Sequence, residues 1–120
     1  MLVRRERPDD VPLIDEVHRS AFGTAGGNPA EVALVHALRA DPGWVPALSL
    51  VAQDSTGAVV GHVVATEERL GDVPAVGIGP LGVRVEFRGQ RIGHALMHAV
   101  IAAADALDYP VAVLLGSTEY

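Results

Sequence analysis

The amino-acid sequence predicts a single α/β domain of the α+β kind spanning residues 1–120. Three observations carry that prediction. Apolar residues recur at helical spacing in three segments and form short, β-branched runs in others. The segments follow the order β-α-α-β-β-β-α-β, with no internal repeat, low-complexity tract or linker. The last of them make a strand–turn–helix–strand unit, the pattern of a βαβ crossover.

Leu2 to Arg7 alternates and then meets Pro8, which predicts a short first strand ending at the proline. Asp9 or Asp10 is placed to cap a helix whose Val11, Ile14, Val17 and Ala21 line one face. Gly23 to Asn28 reads as a glycine-rich loop. Pro29 suits the first position of a second helix, which Val32, Val35, His36 and Leu38 continue to Arg39. Asp41, Pro42 and Gly43 then break the chain. Ala47 to Gln53 is a buried strand, and Val59 to Thr66 returns from a tight turn at Asp54 to Gly57. After a second turn at Gly71 and Asp72, Val73 to Val85 reads as the central strand, bent or bulged by Pro80 and three glycines. Arg88 to Gly93 is a basic turn. Ile92, Leu96, Val100, Ala103 and Leu107 mark the face of the last helix. Pro110 to Leu115 is apolar throughout, which predicts a strand buried on both faces.

Composition excludes several chemistries. The chain has no Cys, which removes disulfides, thiolate metal sites and cysteine nucleophiles. Its nine cations are all Arg, so Schiff-base lysine chemistry and a P-loop are excluded as well. A net charge of −6 and few aromatic residues argue against a nucleic-acid partner. The opening MLVRRERPDD places charge where a signal peptide needs an apolar stretch, and no apolar run approaches membrane-spanning length. The expectation is a cytoplasmic protein with no membrane association.

The strongest chemical signal is the junction from Leu81 to Leu96. A strand ends, a turn containing Gly89 and Gly93 follows, and a long helix begins there. A helix N-terminus offers unpaired N–H groups and partial positive charge, so it favours an anion. Arg84, Arg88 and Arg91 add three of the nine arginines to this short segment. On the opposite reading, the glycines only tighten the turn and the arginines only solubilise it. Just upstream, Gly77-Ile78-Gly79-Pro80-Leu81-Gly82 matches the dinucleotide fingerprint GxGxxG literally. The match is rejected, because Pro80 and the following VRV continue a strand and no acid stands near Val100.

Taken in order, EVALVHALR, SLVAQ, VVGHVVAT, GIGPLGV, RGQRIGHALM and VLLGSTEY resemble the GCN5-related N-acetyltransferases, particularly small bacterial members. The resemblance spans nearly the whole chain. It implies a mixed twisted sheet flanked by helices, with acetyl-CoA as cosubstrate and an amine as acceptor, either a small molecule or a peptide amino terminus. It further implies that the backbone of Leu81, Gly82, Val83, Arg84 and Val85 receives the pantetheine arm. The amides of Arg88, Gly89, Gln90, Arg91, Ile92 and Gly93 would cradle the pyrophosphate. One position departs from the pattern: Arg91 stands where the family usually has glycine. The family continues past a tyrosine pair into further strands, and its second tyrosine is the usual acid for the leaving thiolate. Tyr120 matches the first of the pair, which implies a shortened sheet and a homodimer covering the last strand edge.

No carboxylate occupies the strand from Val73 to Gly82, so the base that some relatives carry there has no counterpart. Glu67, Glu68 and His62 on the neighbouring strand are the nearest alternatives, and Glu31 matches a position often acidic in similar proteins. Packing or a solvent-facing position is the simpler account of each. His94 and His98 have metal-ligand spacing on the last helix, but no third ligand is evident, and a solvated face explains them. No metal is expected. The leading function is N-acetyl transfer to a small amine or an amino terminus. Its rival is a catalytically impaired CoA-binding domain or a fragment acting within an assembly.

Overall fold

Five strands form one sheet in the order β1-β2-β3-β4-β5: β1 (Leu2–Arg5), β2 (Trp44–Gln53), β3 (Val59–Leu70), β4 (Val73–Val83) and β5 (Val111–Leu114). The computed structural model describes residues 1–23 and 27–115. Helices α1 (Val11–Phe22) and α2 (Ala30–Arg39) connect β1 to β2, and α3 (Ile92–Ala106) connects β4 to β5. Strands β1 to β4 pair antiparallel, while β4 and β5 pair parallel, as a helical crossover requires. The element order matches the expectation. The middle strand, however, is β3 rather than the one beginning at Val73.

Each face of the sheet has its own apolar layer. Ile92, Leu96, Val100 and Ala104 of α3 pack with Leu48, Leu50, Val60, Val63 and Val76 on one side. Ile14 and Val17 of α1 and Val35 of α2 meet Val51 and Val59 on the other. The helical spacing read from the sequence marks the faces that close on the sheet, except that Leu107 lies past the end of α3 and is exposed, and Ala104 rather than Ala103 is fully buried.

Several boundaries differ from the expectation, those of β2 and β3 because backbone pairing continues beyond the runs read as strands. β2 starts at Trp44, which pairs with Thr66, and β3 runs on through the exposed Glu67, Glu68 and Arg69 to Leu70 opposite Val73. β1 ends at Arg5, two residues short of Arg7, and Pro29 is the residue before α2 rather than its first. β4 stops at Val83, because Val85–Phe87 turn into a short 3-10 segment. The predicted bulge in β4 is present, for the register with β3 shifts between Val63↔Leu81 and Ala65↔Ile78. Burial of β5 on both faces is not observed: Val113 is 38% and Leu114 46% exposed. Helix α3 lies over β2, β3 and β4 and leaves β5 at the margin.

Candidate functional site

The site begins beside the last described residues of β5. The parallel pairing of β4 and β5 runs from Ala75↔Val111 to Ile78↔Leu114, and Leu115 N–H donates to Ile78 O at 2.8 Å. Past that point no described strand accompanies β4 on this edge. On the other edge, Arg84 N–H donates to Val60 O at 2.9 Å, and Gly82 stands opposite His62 in the same register. Backbone direction alternates along an antiparallel strand, so Leu81 and Val83 turn their N–H and C=O groups away from β3. Among the described residues, these two backbone donors and acceptors have no strand partner on that edge.

An open cleft of about 790 Å³ lies beside them. Its walls are Leu81, Gly82 and Val83 of β4, Ala21 and Phe22 of α1, Glu31 of α2, and the turn into α3 with Arg88, Gly89, Arg91, Ile92, Gly93 and His94. The first helical N–H that bonds backward is that of Ala95, to Arg91 O at 3.1 Å. The N–H groups of Ile92, Gly93 and His94 precede it and have no carbonyl one turn back within α3. Two arginines and this helix terminus give that end of the cleft a positive character.

The turn has a strained feature. Gly89 has φ of 82°, where only glycine is at ease, and its Cα faces open space. Arg91 adopts φ 63° and ψ 22°, the left-handed region, immediately before α3. The departure from glycine therefore falls on a backbone that glycine would suit better.

Other expected residues are engaged elsewhere. Val85 N–H donates to Ser20 Oγ at 3.0 Å, and Arg84 N–H belongs to the β3 ladder, so neither amide faces the cleft. The Arg84 side chain pairs with Glu86 at 3.4 Å. Arg88 extends across to α1 and donates to Ala21 O at 2.8 Å. Gln90 is exposed and does not line the cleft. Glu31 does line it. Glu67 does not: its carboxylate accepts a 2.6 Å hydrogen bond from Tyr109, whose phenol is thereby held above its usual range. Glu68 is exposed beside Gly77, and Tyr120 lies outside the described residues. His94 and His98 are exposed along α3, and among the described residues no three potential ligands cluster to hold a metal ion. No described helix is long and apolar enough to cross a membrane.

His62 differs most from its expected role, and it has a partner that the sequence reading missed. The ring is fully buried and bonds on both sides: Nδ1 lies 2.8 Å from His18 Nε2, and Nε2 lies 2.9 Å from Ser49 Oγ. Ser49 in turn donates to the Glu6 carboxylate, which is also paired with Arg39. Burial opposes ionisation of Glu6. The nearby His62, 3.8 Å away, the hydrogen bond from Ser49 and the charge of Arg39 prevail, and hold it below the ordinary carboxylate range. Burial pushes the His62 imidazole down, against the pull of Glu6. Burial first, and then the neighbouring His62, bring His18 to about 3. A cue for His18 did exist: it follows Ile14 by four residues, on the face that carries the apolar stripe of α1.

Residues 11–119 match the model of the Acetyltransferase (GNAT) family. This chain belongs to that family. It is 36% identical over 118 residues to the uncharacterized N-acetyltransferase YhbS of Escherichia coli strain K12, covering 97% of this chain and 67% of the relative. The crystal structure of Escherichia coli YhbS in complex with CoA superposes with a TM-score of 0.81 at 35% identity, over 96% of this chain. This chain spans 62% of the length of that one. A GNAT family acetyltransferase from Brucella melitensis, in complex with acetyl-CoA, gives a TM-score of 0.84 at 34% identity, covering 99% of this chain and 77% of its own. The α+β architecture is thus the GNAT fold.

Proposed function

We propose that this GNAT chain transfers the acetyl group of acetyl-CoA to the nitrogen of a small amine or an amino terminus. The observation that carries the reading is the continuity of the cleft, from the free backbone edge at Leu81 and Val83 to the anion-binding turn at Arg88 to Gly93. Relatives at 35% and 34% identity that are described in complex with CoA and acetyl-CoA support it. Acetyl-CoA, when bound, supplies a thioester as the activated acyl donor.

The chain's own residues then divide the work. The amides of the turn and of the first turn of α3 would hold the pyrophosphate, with Gly89 admitting its close approach. The outward N–H groups of Leu81 and Val83 would align the pantetheine arm and meet the negative charge that develops on the acyl oxygen. Phe22 and Glu31, at the α1–α2 side of the cleft, would bound the acceptor. Glu31 is well placed to attract a cationic amine.

Calorimetry with acetyl-CoA, followed by thiol release across a panel of amines, tests this function. Binding with turnover supports the transferase. Binding without turnover on any amine would leave only a CoA-binding domain, and no binding at millimolar acetyl-CoA would overturn both. The exposed apolar residues of β5 further support a homodimer through that edge, which sedimentation at micromolar concentration decides.

A further inference from the structure

One buried ring joins α1 to the sheet behind the cleft. The imidazole of His18 is fully buried and has a neighbour on each side. Its Nε2 lies 2.8 Å from His62 Nδ1 on β3. Its Nδ1–Cε1 edge abuts Gly82 of β4, where an added Cβ would fall 2.8 Å from Nδ1 and 3.2 Å from Cε1. Its face stacks on Phe22, the last residue of α1, with centroids 5.8 Å apart and planes 11° from parallel. His62 and Gly82 stand opposite each other in the β3–β4 register, so the ring sits over a single rung of that ladder.

His18 does not line the cleft, whereas Ala21, Phe22 and Gly82 all do. The ring is thus packed behind the wall and can act only through it. At Gly82 the contact is steric, since Nδ1 has no hydrogen-bond partner. A Cβ there would also meet Ala21 Cβ at 3.2 Å, so a side chain at this position would press α1 away from β4. At Phe22 the contact is a stack. A half-buried aromatic ring at a helix end has other rotamers open to it unless something behind it selects one. The hydrogen bond to His62 fixes the plane of the imidazole, which an apolar side chain in its place would leave to packing alone.

We propose that His18 is a positioning residue for the acceptor amine: tethered by His62, it holds the Phe22 ring in place and sets how far α1 stands from β4, and so fixes the width of the cleft on its acceptor side. The inference rests on the transferase reading above, in which Phe22 bounds the acceptor. No bond or proton changes at His18. Its effect falls on the amine and not on acetyl-CoA, whose phosphates meet the turn into α3 in that reading.

Two variants separate the ring from its hydrogen bond. His18→Gln keeps an amide that can bond His62 but removes the stack. With an accepted amine it should raise the KM of the amine about five- to tenfold, the worth of one aromatic stacking contact, and leave the KM of acetyl-CoA within about twofold. His18→Phe keeps a flat ring beside Phe22 and loses the hydrogen bond. It should be the less stable of the two in urea, yet hold the KM of the amine nearer to the parent value. A merely structural role gives the reverse, with the KM of the amine following stability, and that order overturns the proposal. So does a KM for acetyl-CoA that rises in step with that of the amine. Where His18→Phe fails to fold, Gly82→Ala decides: by pressing on the same ring it should raise the KM of the amine as His18→Gln does, and a parent-like value overturns the proposal while leaving the transferase intact. A parent that releases no thiol with any amine defeats the transferase reading, and the positioning role falls with it.

Discussion

Arg88 donates to the carbonyl oxygen of Ala21 at 2.8 Å and thereby laces the basic turn to the C-terminal end of α1. Both residues line the cleft. The last carbonyls of a helix lack intrahelical donors, and a guanidinium there satisfies one of them while opposing the local negative end of the helix dipole. Sequence reading assigned Arg88 to phosphate through its position in the turn. The structure gives its side chain a prior partner within the protein.

Replacing Arg88 by Ala should therefore lower the stability of the ligand-free chain. A surface hydrogen bond to a charged donor is worth roughly 1 kcal/mol, or about 4 °C in melting temperature for a domain of this size. The thermal shift caused by acetyl-CoA should also shrink, since the turn loses its tie to α1. Scanning fluorimetry with and without acetyl-CoA reads both effects. An unchanged ligand-free melting temperature would contradict the lacing role.

Arg91→Gly should act in the opposite sense. A left-handed backbone costs a residue with a β-carbon about 1 kcal/mol, and glycine removes that cost at a φ of 63°. Chemical denaturation should show a gain of about that size, with acetyl-CoA affinity intact or tighter, because the amide of residue 91 is kept. A large loss of affinity would show instead that the Arg91 guanidinium itself is an essential ligand.

How much of this was legible beforehand divides along local and non-local lines. The element order and the turn into α3 were readable, because strand, glycine turn and helix N-terminus are neighbours in sequence. The burial of β5 was misread, because an apolar run records what a strand tolerates and not whether a helix reaches it. Glu67 could have been set aside. It stands an odd number of residues from His62, so the two point to opposite faces of β3, and Tyr109 claims it. The His18–His62 contact joins residues 44 apart through α1 and β3, and no local period reveals such a pairing. What the sequence did show was a histidine among Ile14 and Val17 on an apolar helix face.

Gly89→Val should separate turn geometry from turn charge. The variant keeps every arginine but places a β-branched residue at a φ of 82°. Nothing in the ligand-free chain lies within 4 Å of the new Cβ, so the disturbance is backbone strain and not collision. The thermal shift produced by acetyl-CoA should largely vanish, while ligand-free stability falls by roughly 1–2 kcal/mol. Retention of the full shift would mean that the anion is held elsewhere than at this turn.

Acid should destabilise the fold well before its carboxylates titrate. Both His18 and His62 are buried and held below the ordinary imidazole range, His18 at about 3. The unfolded chain binds these protons near about 6.5, so between the two values protonation favours unfolding. The contribution is complete above about pH 7 and is lost as pH falls from there toward 3. For His18 alone, the loss between pH 7 and pH 5 comes to about 2 kcal/mol. Glu6 and Asp10, both held below the usual carboxylate range, lose their own contribution only at still lower pH. Urea denaturation at pH 7.5 and pH 5 measures the first effect directly. His18→Gln removes one of the two titrating rings and should flatten the difference by a comparable amount. Equal stability of the parent chain at both pH values would mean that the two imidazoles are not held neutral in the core.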